Sequence, residues 1–164
     1  MASDNIIDIH NDIVIRGFET RDRDLVNAFF DGMGGESRAF FNRRDGNRAF
    51  AMRFFDGGGE NNRYFLAEYR GVMVGYVFLY EMDTLVPWLG IALSDDLKGK
   101  KLGQRLIEHV INVALGENKG GILLTTHEAN IRGQVLYERC GFKYMGGHTS
   151  GERLYLLRFP TREH

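Results

Sequence analysis

Between Trp88 and Leu106 an apolar strand-like run, Trp88-Leu-Gly-Ile-Ala-Leu93, leads through a short basic loop directly onto an amphipathic helix. That order of events builds an anion site. Free backbone N–H groups at a helix N-terminus point at a ligand, and the helix dipole adds a positive partial charge. Gly99 and Gly103 let the backbone come close, while Lys98, Lys100, Lys101 and Arg105 supply full positive charges. A strand, a phosphate-binding loop and a helix in this sequence call for a mixed α/β architecture.

The rest of the chain is compatible with one domain spanning 1–164, with 1–12 as a flexible N-terminal segment. At 164 residues it is long enough for one packed core and too short for two ordinary ones. Apolar residues at 43% and charged residues at 26% are the balance of a soluble globular protein. A net charge of −1 gives no global attraction to nucleic acid or to an anionic membrane, so neither is expected as a partner. The single Cys140 excludes an intrachain disulfide and fits a reducing, cytoplasmic setting. Met1 to Asp12 lacks the basic start and apolar core of a signal peptide. No apolar run approaches the ~20 residues that span a bilayer.

Ile13, Ile15 and Phe18 predict a first strand, and Leu25, Val26, Phe29, Phe30 and Met33 a helix capped within Thr20–Asp24. A second helical or irregular stretch carries Phe40, Phe41, Phe50, Phe54 and Phe55, and 56–62 is a glycine-rich surface loop. Strands are expected at Tyr64–Tyr69 and Val72–Leu79, joined by a hairpin turn at Arg70-Gly71. After the strand ending at Leu93, the helix stripe Leu102, Leu106, Val110 and Ala114 or Leu115 is ended by Gly120 and Gly121. Ile122–Thr126 suits a buried central strand. Asn130 caps a helix that stops at Gly141, and Phe142–Met145 and Leu154–Phe159 close the chain as strands. The order is β-α-α-β-β-β-α-β-α-β-β.

About thirty residues after the basic loop comes Asn130-Ile-Arg-Gly-Gln-Val-Leu-Tyr-Glu-Arg-Cys-Gly-Phe142. Together the two segments resemble the signatures of the GNAT superfamily, the acetyl-CoA-dependent N-acetyltransferases. The resemblance covers about Val72 to Phe159, with a looser match at Ile13 to Met33. It implies a single-domain fold with a mostly antiparallel central sheet flanked by helices, and a strand before the loop that splays from its neighbour.

The resemblance also implies roles. Backbone groups of Ile91, Ala92 and Leu93 would pair with the pantetheine arm of acetyl-CoA. Lys98, Gly99, Lys100, Lys101, Leu102, Gly103 and Gln104 would hold its pyrophosphate. Laid over the family's Gln/Arg-x-x-Gly-x-Gly/Ala loop, Lys101 falls where the middle glycine stands; at negative φ its amide can still bind phosphate, and at positive φ a lysine there costs about 1 kcal/mol or more. Asn130 would hydrogen-bond the pantetheine chain, and Gly133, where the family usually has alanine, would leave room for it. Tyr137 would be the general acid that protonates the departing thiolate. A phenol of pKa about 10 is protonated at neutral pH.

Several residue types carry simpler readings. Asn130 serves equally as a helix cap, and Tyr137 as a packed tyrosine. Cys140, on the last turn of a helix, lacks the positive field that activates a thiol. The five histidines show no metal-ligand spacing, so no metal is expected. The usual strand glutamate of the family is absent. Glu81, Asp83 and Glu128 stand as alternative water-relayed bases. Phe29, Phe30, Phe40 and Trp88 are candidates for the acceptor cleft, and aromatic residues at helical spacing are also ordinary core. The function expected is transfer of an acetyl group from acetyl-CoA to a small-molecule amine or peptide α-amino group, by a monomer or homodimer. A non-catalytic acyl-CoA sensor or partner-binding module on the same fold is the alternative.

Overall fold

The computed structural model describes residues 11–33, 46–97 and 101–161. Seven strands form one sheet in the order β1-β2-β3-β4-β5-β7-β6: β1 Ile13–Gly17, β2 Arg63–Tyr69, β3 Val72–Tyr80, β4 Trp88–Leu93, β5 Gly121–Thr126, β6 Lys143–Gly147 and β7 Arg153–Arg158. Among the described residues four α-helices flank it: α1 Arg23–Asp31, α2 Gly46–Met52, α3 Leu102–Gly116 and α4 Ile131–Arg139. Every strand pair is antiparallel except β4 with β5. The expected mixed, mostly antiparallel sheet is therefore present.

Alternation along the strands divides the core between the two faces of the sheet. Val77, Leu79, Leu89 and Ile91 meet Leu106, Ile107, Val110 and Ala114 of α3. On the other face Met73, Tyr76 and Phe78 meet Val26, Phe29 and Phe30 of α1. The β2–β3 hairpin turns through Arg70 (φ 48°) and Gly71 (φ 78°). Two consecutive left-handed residues make the turn whose twist matches the flanking strands. At the start of α1, Asp22 is only 3% exposed. Its carboxylate accepts from both Arg16 terminal nitrogens (2.7 and 2.9 Å) and from the Glu19 backbone N–H (2.7 Å).

One boundary moves. Helix α3 ends at Gly116 rather than at Gly120–Gly121, because Asn118 (φ 61°) already turns the chain left-handed. Gly121 is instead the first residue of β5, where a Cβ would press on the backbone of Leu157 and Arg158 in β7. Phe40 and Phe41 lie outside the described residues.

Candidate active site

Strands β4 and β5 begin together and then part. Their register is limited to Trp88 opposite Leu123, beside a bond from the Leu123 N–H to the Pro87 carbonyl (2.9 Å). On its other edge β4 stays paired with β3 as far as Leu93, and Ser94 N–H then reaches Val74 O (2.8 Å). Backbone groups alternate in direction along a strand. Since Pro87 faces β5 and Ser94 faces β3, the N–H and C=O of Ile91 and Leu93 face the opening. Among the described residues they have no strand partner there. Ala92, by the same parity, is paired to β3.

The opening is flanked on one side by the start of α3. Lys98, Gly99 and Lys100 lie outside the described residues. Lys101 is the N-cap of α3 and sits at φ 65°, ψ 7°. The loop thus needs a left-handed residue where the sequence supplies lysine. Leu102 is fully buried, while Gln104 turns outward to Glu108 (3.0 Å). The Arg105 guanidinium donates to the Ile13 carbonyl (2.8 Å). At Gly103 a Cβ would meet Leu136 Cδ2 at 2.7 Å and Leu93 Cδ1 at 3.4 Å. The glycine lets α4 pack closely against the start of α3.

On the other side stands α4. The Asn130 side chain caps it, accepting from Gly133 N–H (3.2 Å) and donating to Thr126 Oγ1 (3.1 Å). Gly133 leaves room for this amide, because a Cβ there would sit 2.9 Å from Asn130 Cγ. Thr126 is buried, and its hydroxyl favours the ionised form of the nearby Tyr137 phenol. Its oxygen accepts from Asn130, and its own O–H can at the same time donate to the phenol oxygen. A phenol that accepts in this way keeps its own proton for another acceptor. Tyr137 is 4% exposed, and burial pushes its pKa well above the ordinary tyrosine range, with the Thr126 hydrogen bond pulling the other way. It stays protonated at any working pH.

The candidate bases are dispersed. Glu81, Asp83 and Glu128 are all exposed. Glu152, passed over by the sequence reading, has more reach: its charge bears on both Tyr80 and Tyr137. It lies beyond the β6–β7 turn, its carbonyl accepting from His148 N–H (2.8 Å). The His148 ring meets Trp88 edge-on with centroids 5.8 Å apart, and Trp88 stacks on Tyr80 at 6.4 Å. On this same face of β4, a Cβ at Gly90 would meet nothing within 4 Å. Trp88, Tyr80 and His148 therefore wall an open space. Phe30 is core, packed against Tyr76, and Phe29 joins Met33, Leu93 and Ser94 around a small cleft at the end of β4.

Another residue that sequence reasoning missed is Tyr76, 1% exposed, whose hydroxyl has no hydrogen-bond partner among the described residues. A buried polar group left so costs roughly 1–3 kcal/mol. Burial raises the Cys140 thiol, which agrees with its rejection as a nucleophile. Among the described residues no cluster of His, Cys, Asp and Glu could hold a metal, and no helix is long and apolar enough to cross a membrane.

Comparison with known proteins adds three findings. The family model described as acetyltransferase (GNAT) family matches residues 24–142. A curated relative named 5-NmdU N-acetyltransferase, from Pseudomonas phage PaMx11, is 28% identical over 97 residues. The match takes in 57% of this chain and 66% of that relative, just under two thirds of its length. Among solved structures, the GNAT domain of S. lividans PAT superposes with a TM-score of 0.77 at 14% identity, covering 88% of this chain and 89% of that one. PaiA N-acetyltransferase from Thermoplasma acidophilum, in complex with coenzyme A, gives 0.72 at 14% identity, covering 90% and 99%.

Proposed function

Because the chain belongs to the acetyltransferase (GNAT) family, we propose that it transfers an acetyl group from acetyl-CoA to a primary amine by direct attack within a ternary complex. The observation that carries this reading is the opening between β4 and β5, which the backbone groups of Ile91 and Leu93 face without a strand partner among the described residues, with Tyr137 of α4 packed beside Tyr155 of β7, the strand next to β5. The residues suit the cosubstrate. Ile91 and Leu93 offer strand-like donors and acceptors to the pantetheine amides, and the α3 N-terminus with Lys98, Gly99, Lys100 and Lys101 takes the pyrophosphate. Asn130 acts through Thr126, holding the phenol rather than the ligand.

Tyr137 serves as a hydrogen-bond donor to the departing sulfur. A phenol raised so far above a thiol of pKa roughly 8.5 does not hand its proton over outright, but it stabilises the developing thiolate. The amine nitrogen attacks the carbonyl carbon, the C–S bond breaks, and the ammonium proton leaves through Glu152 or water. Glu152 replaces Glu81, Asp83 and Glu128 as the favoured carboxylate because it alone bears on both Tyr80 and Tyr137. The amine enters over Gly90, against Trp88, Tyr80 and His148. This flat wall suits a ring-bearing amine, and the acceptor in the phage relative's name, 5-NmdU, belongs in any panel tested.

The test is release of free thiol from acetyl-CoA with α-amino, alkyl-amine and ring-bearing amine acceptors, 5-NmdU included. Amine-dependent release supports the proposal. Tight acetyl-CoA binding with no release above the hydrolysis background across the panel would instead favour a non-catalytic acyl-CoA sensor.

A further inference from the structure

His148 is half-buried and sits in a turn that fixes its ring. The Ser150 backbone N–H donates to His148 Nδ1 (3.1 Å), and Ser150 Oγ lies 2.9 Å from the same nitrogen. Two backbone bonds close the turn, His148 N–H to the Glu152 carbonyl (2.8 Å) and Gly151 N–H to the His148 carbonyl (2.9 Å). A ring nitrogen that accepts from a backbone N–H carries no proton of its own. The neutral imidazole therefore holds its proton on Nε2 and presents it as a donor. Among the described residues this N–H has no hydrogen-bond partner. Neither has the indole N–H of Trp88, which the His148 ring meets edge-on, nor the hydroxyl of Tyr80, which stacks on Trp88. Both of these side chains are half-buried and keep a free surface. Leu89 and Ile91 face α3, so Trp88 and Gly90 face the other way. Trp88 is also where β4 pairs with β5. Three donors thus line the open space over Gly90, where the β4–β5 opening begins.

We propose that His148 Nε2–H donates to a carbonyl oxygen of the acceptor, so that the site selects a primary amine borne on a planar ring with a carbonyl at its edge; this rests on the acetyl-transfer reading above. Each part of that description answers to a group on the wall. The aromatic faces of Trp88 and Tyr80 favour a flat ring over a saturated one. The unpaired donors call for an acceptor atom, because a plain hydrocarbon ring would cover them without replacing the water they lose. A carboxylate or phosphate would also accept, but Glu152 follows in the His148 turn and Glu81 follows Tyr80, so a negative ligand meets like charge. An uncharged carbonyl oxygen meets the donors without that cost. The tautomer excludes a different role for the same residue. With Nδ1 engaged by Ser150 and Nε2 protonated, the neutral ring has no free lone pair to take the proton of the attacking amine. His148 orients the substrate and leaves the proton to other groups.

The test compares three primary amines, an aminomethyl pyridone, benzylamine and cyclohexylmethylamine, in the wild type, His148→Phe and His148→Gln. Wild-type kcat/KM should be highest for the pyridone and lowest for the saturated ring. His148→Phe keeps a ring and loses the donor. It should lower kcat/KM for the pyridone by about 3–10-fold and leave the other two amines unchanged, and His148→Gln, which restores an N–H, should recover part of the loss. An equal loss for all three amines, or none for the pyridone, would overturn the proposal. Nitrogen spectra of ¹⁵N-histidine-labelled protein at about pH 8, above the usual imidazole pKa, should place the His148 proton on Nε2; a proton on Nδ1 would also overturn it. Should the variants fail to fold, the wild type decides: a pyridone no better than benzylamine sinks the assignment. Trp88 is the one tryptophan of the chain, so its single indole N–H signal reports ring binding without turnover. Tighter binding of the pyridone than of benzylamine, with no acetyl transfer to either, would support this selectivity while removing the acetyl-transfer reading. Turnover of all three amines without preference would leave that reading standing and overturn this one.

Discussion

Phe142 donates its backbone N–H to the carbonyl of Tyr137 (3.0 Å), across a turn in which Gly141 takes φ 98° and bonds Glu138 (3.0 Å). These two bonds form a Schellman closure of α4. They hold the last turn, and with it Tyr137, against β6 and β7. Gly141→Ala would force a Cβ into the left-handed region and within 3.2 Å of Leu157 Cδ1. A loss of about 1–2 kcal/mol is expected, and chemical denaturation would measure it. Because the end of α4 loosens, turnover should fall more than acetyl-CoA affinity.

Tyr137→Phe tests the donor directly. Turnover should drop by roughly 10²–10⁴ while acetyl-CoA affinity stays nearly constant. Unaltered turnover would dismiss the phenol, and a change confined to KM would assign it to binding.

The buried tyrosines set an alkaline limit on stability. Burial raises Tyr76 and Tyr137 strongly and Tyr80 to about 12. Unfolded, each titrates near pH 10. A group whose pKa is raised by folding contributes stability that is complete below the unfolded value and is lost as pH rises through the folded one. Stability should therefore hold to about pH 10 and decline above it. Tyrosinate absorbance followed together with circular dichroism checks this. Of the seven tyrosines, these three should ionise only with loss of structure; ionisation of all seven near pH 10 in a folded protein would contradict it.

At acid pH the Arg16–Asp22 pair dominates. Its two hydrogen bonds to Arg16 hold the Asp22 carboxyl below the usual carboxylate range, with the Glu19 N–H helping. The stability it gives is present above the unfolded pKa of about 3.9 and lost as pH falls through the lowered value. Asp22→Asn leaves Arg16 without its buried partner and should cost on the order of 3 kcal/mol at neutral pH. Thermal melts of variant and wild type should converge toward pH 3.

Lys101 carries the opposite expectation. Replacing it by glycine removes a left-handed lysine and should stabilise the protein by about 1 kcal/mol. Lys101→Ala, which keeps a Cβ, should not. Equal melting temperatures for the two variants would show the cap to be unstrained.

Much of this was legible because the signals are local. The strand Trp88–Leu93, the helix from Leu102, the Asn130 cap and the Gly141 stop each depend on residues within one turn of each other. The Arg70-Gly71 hairpin is of the same kind. What escaped reading is what the sheet brings together from afar. Tyr76 meets Ala92 only through the β3–β4 register, and His148 reaches Trp88 only because the β6–β7 turn returns over β4. Gly133 shows a subtler limit: its position was visible, but the atom that needs the space belongs to Asn130. For Lys101 the comparison with the family's loop raises a positive φ as one of two alternatives, and only the structure, with φ 65°, decides between them.

The central claim is that coenzyme A lies in the β4–β5 opening with its sulfur at Tyr137. A crystal structure of the protein with coenzyme A tests it most directly. The account predicts pantetheine amides within about 2.7–3.2 Å of the Ile91 and Leu93 backbone groups, and the sulfur beside the Tyr137 hydroxyl. Coenzyme A seated elsewhere, or a sulfur turned away from Tyr137 with β4 and β5 closed between them, would contradict it.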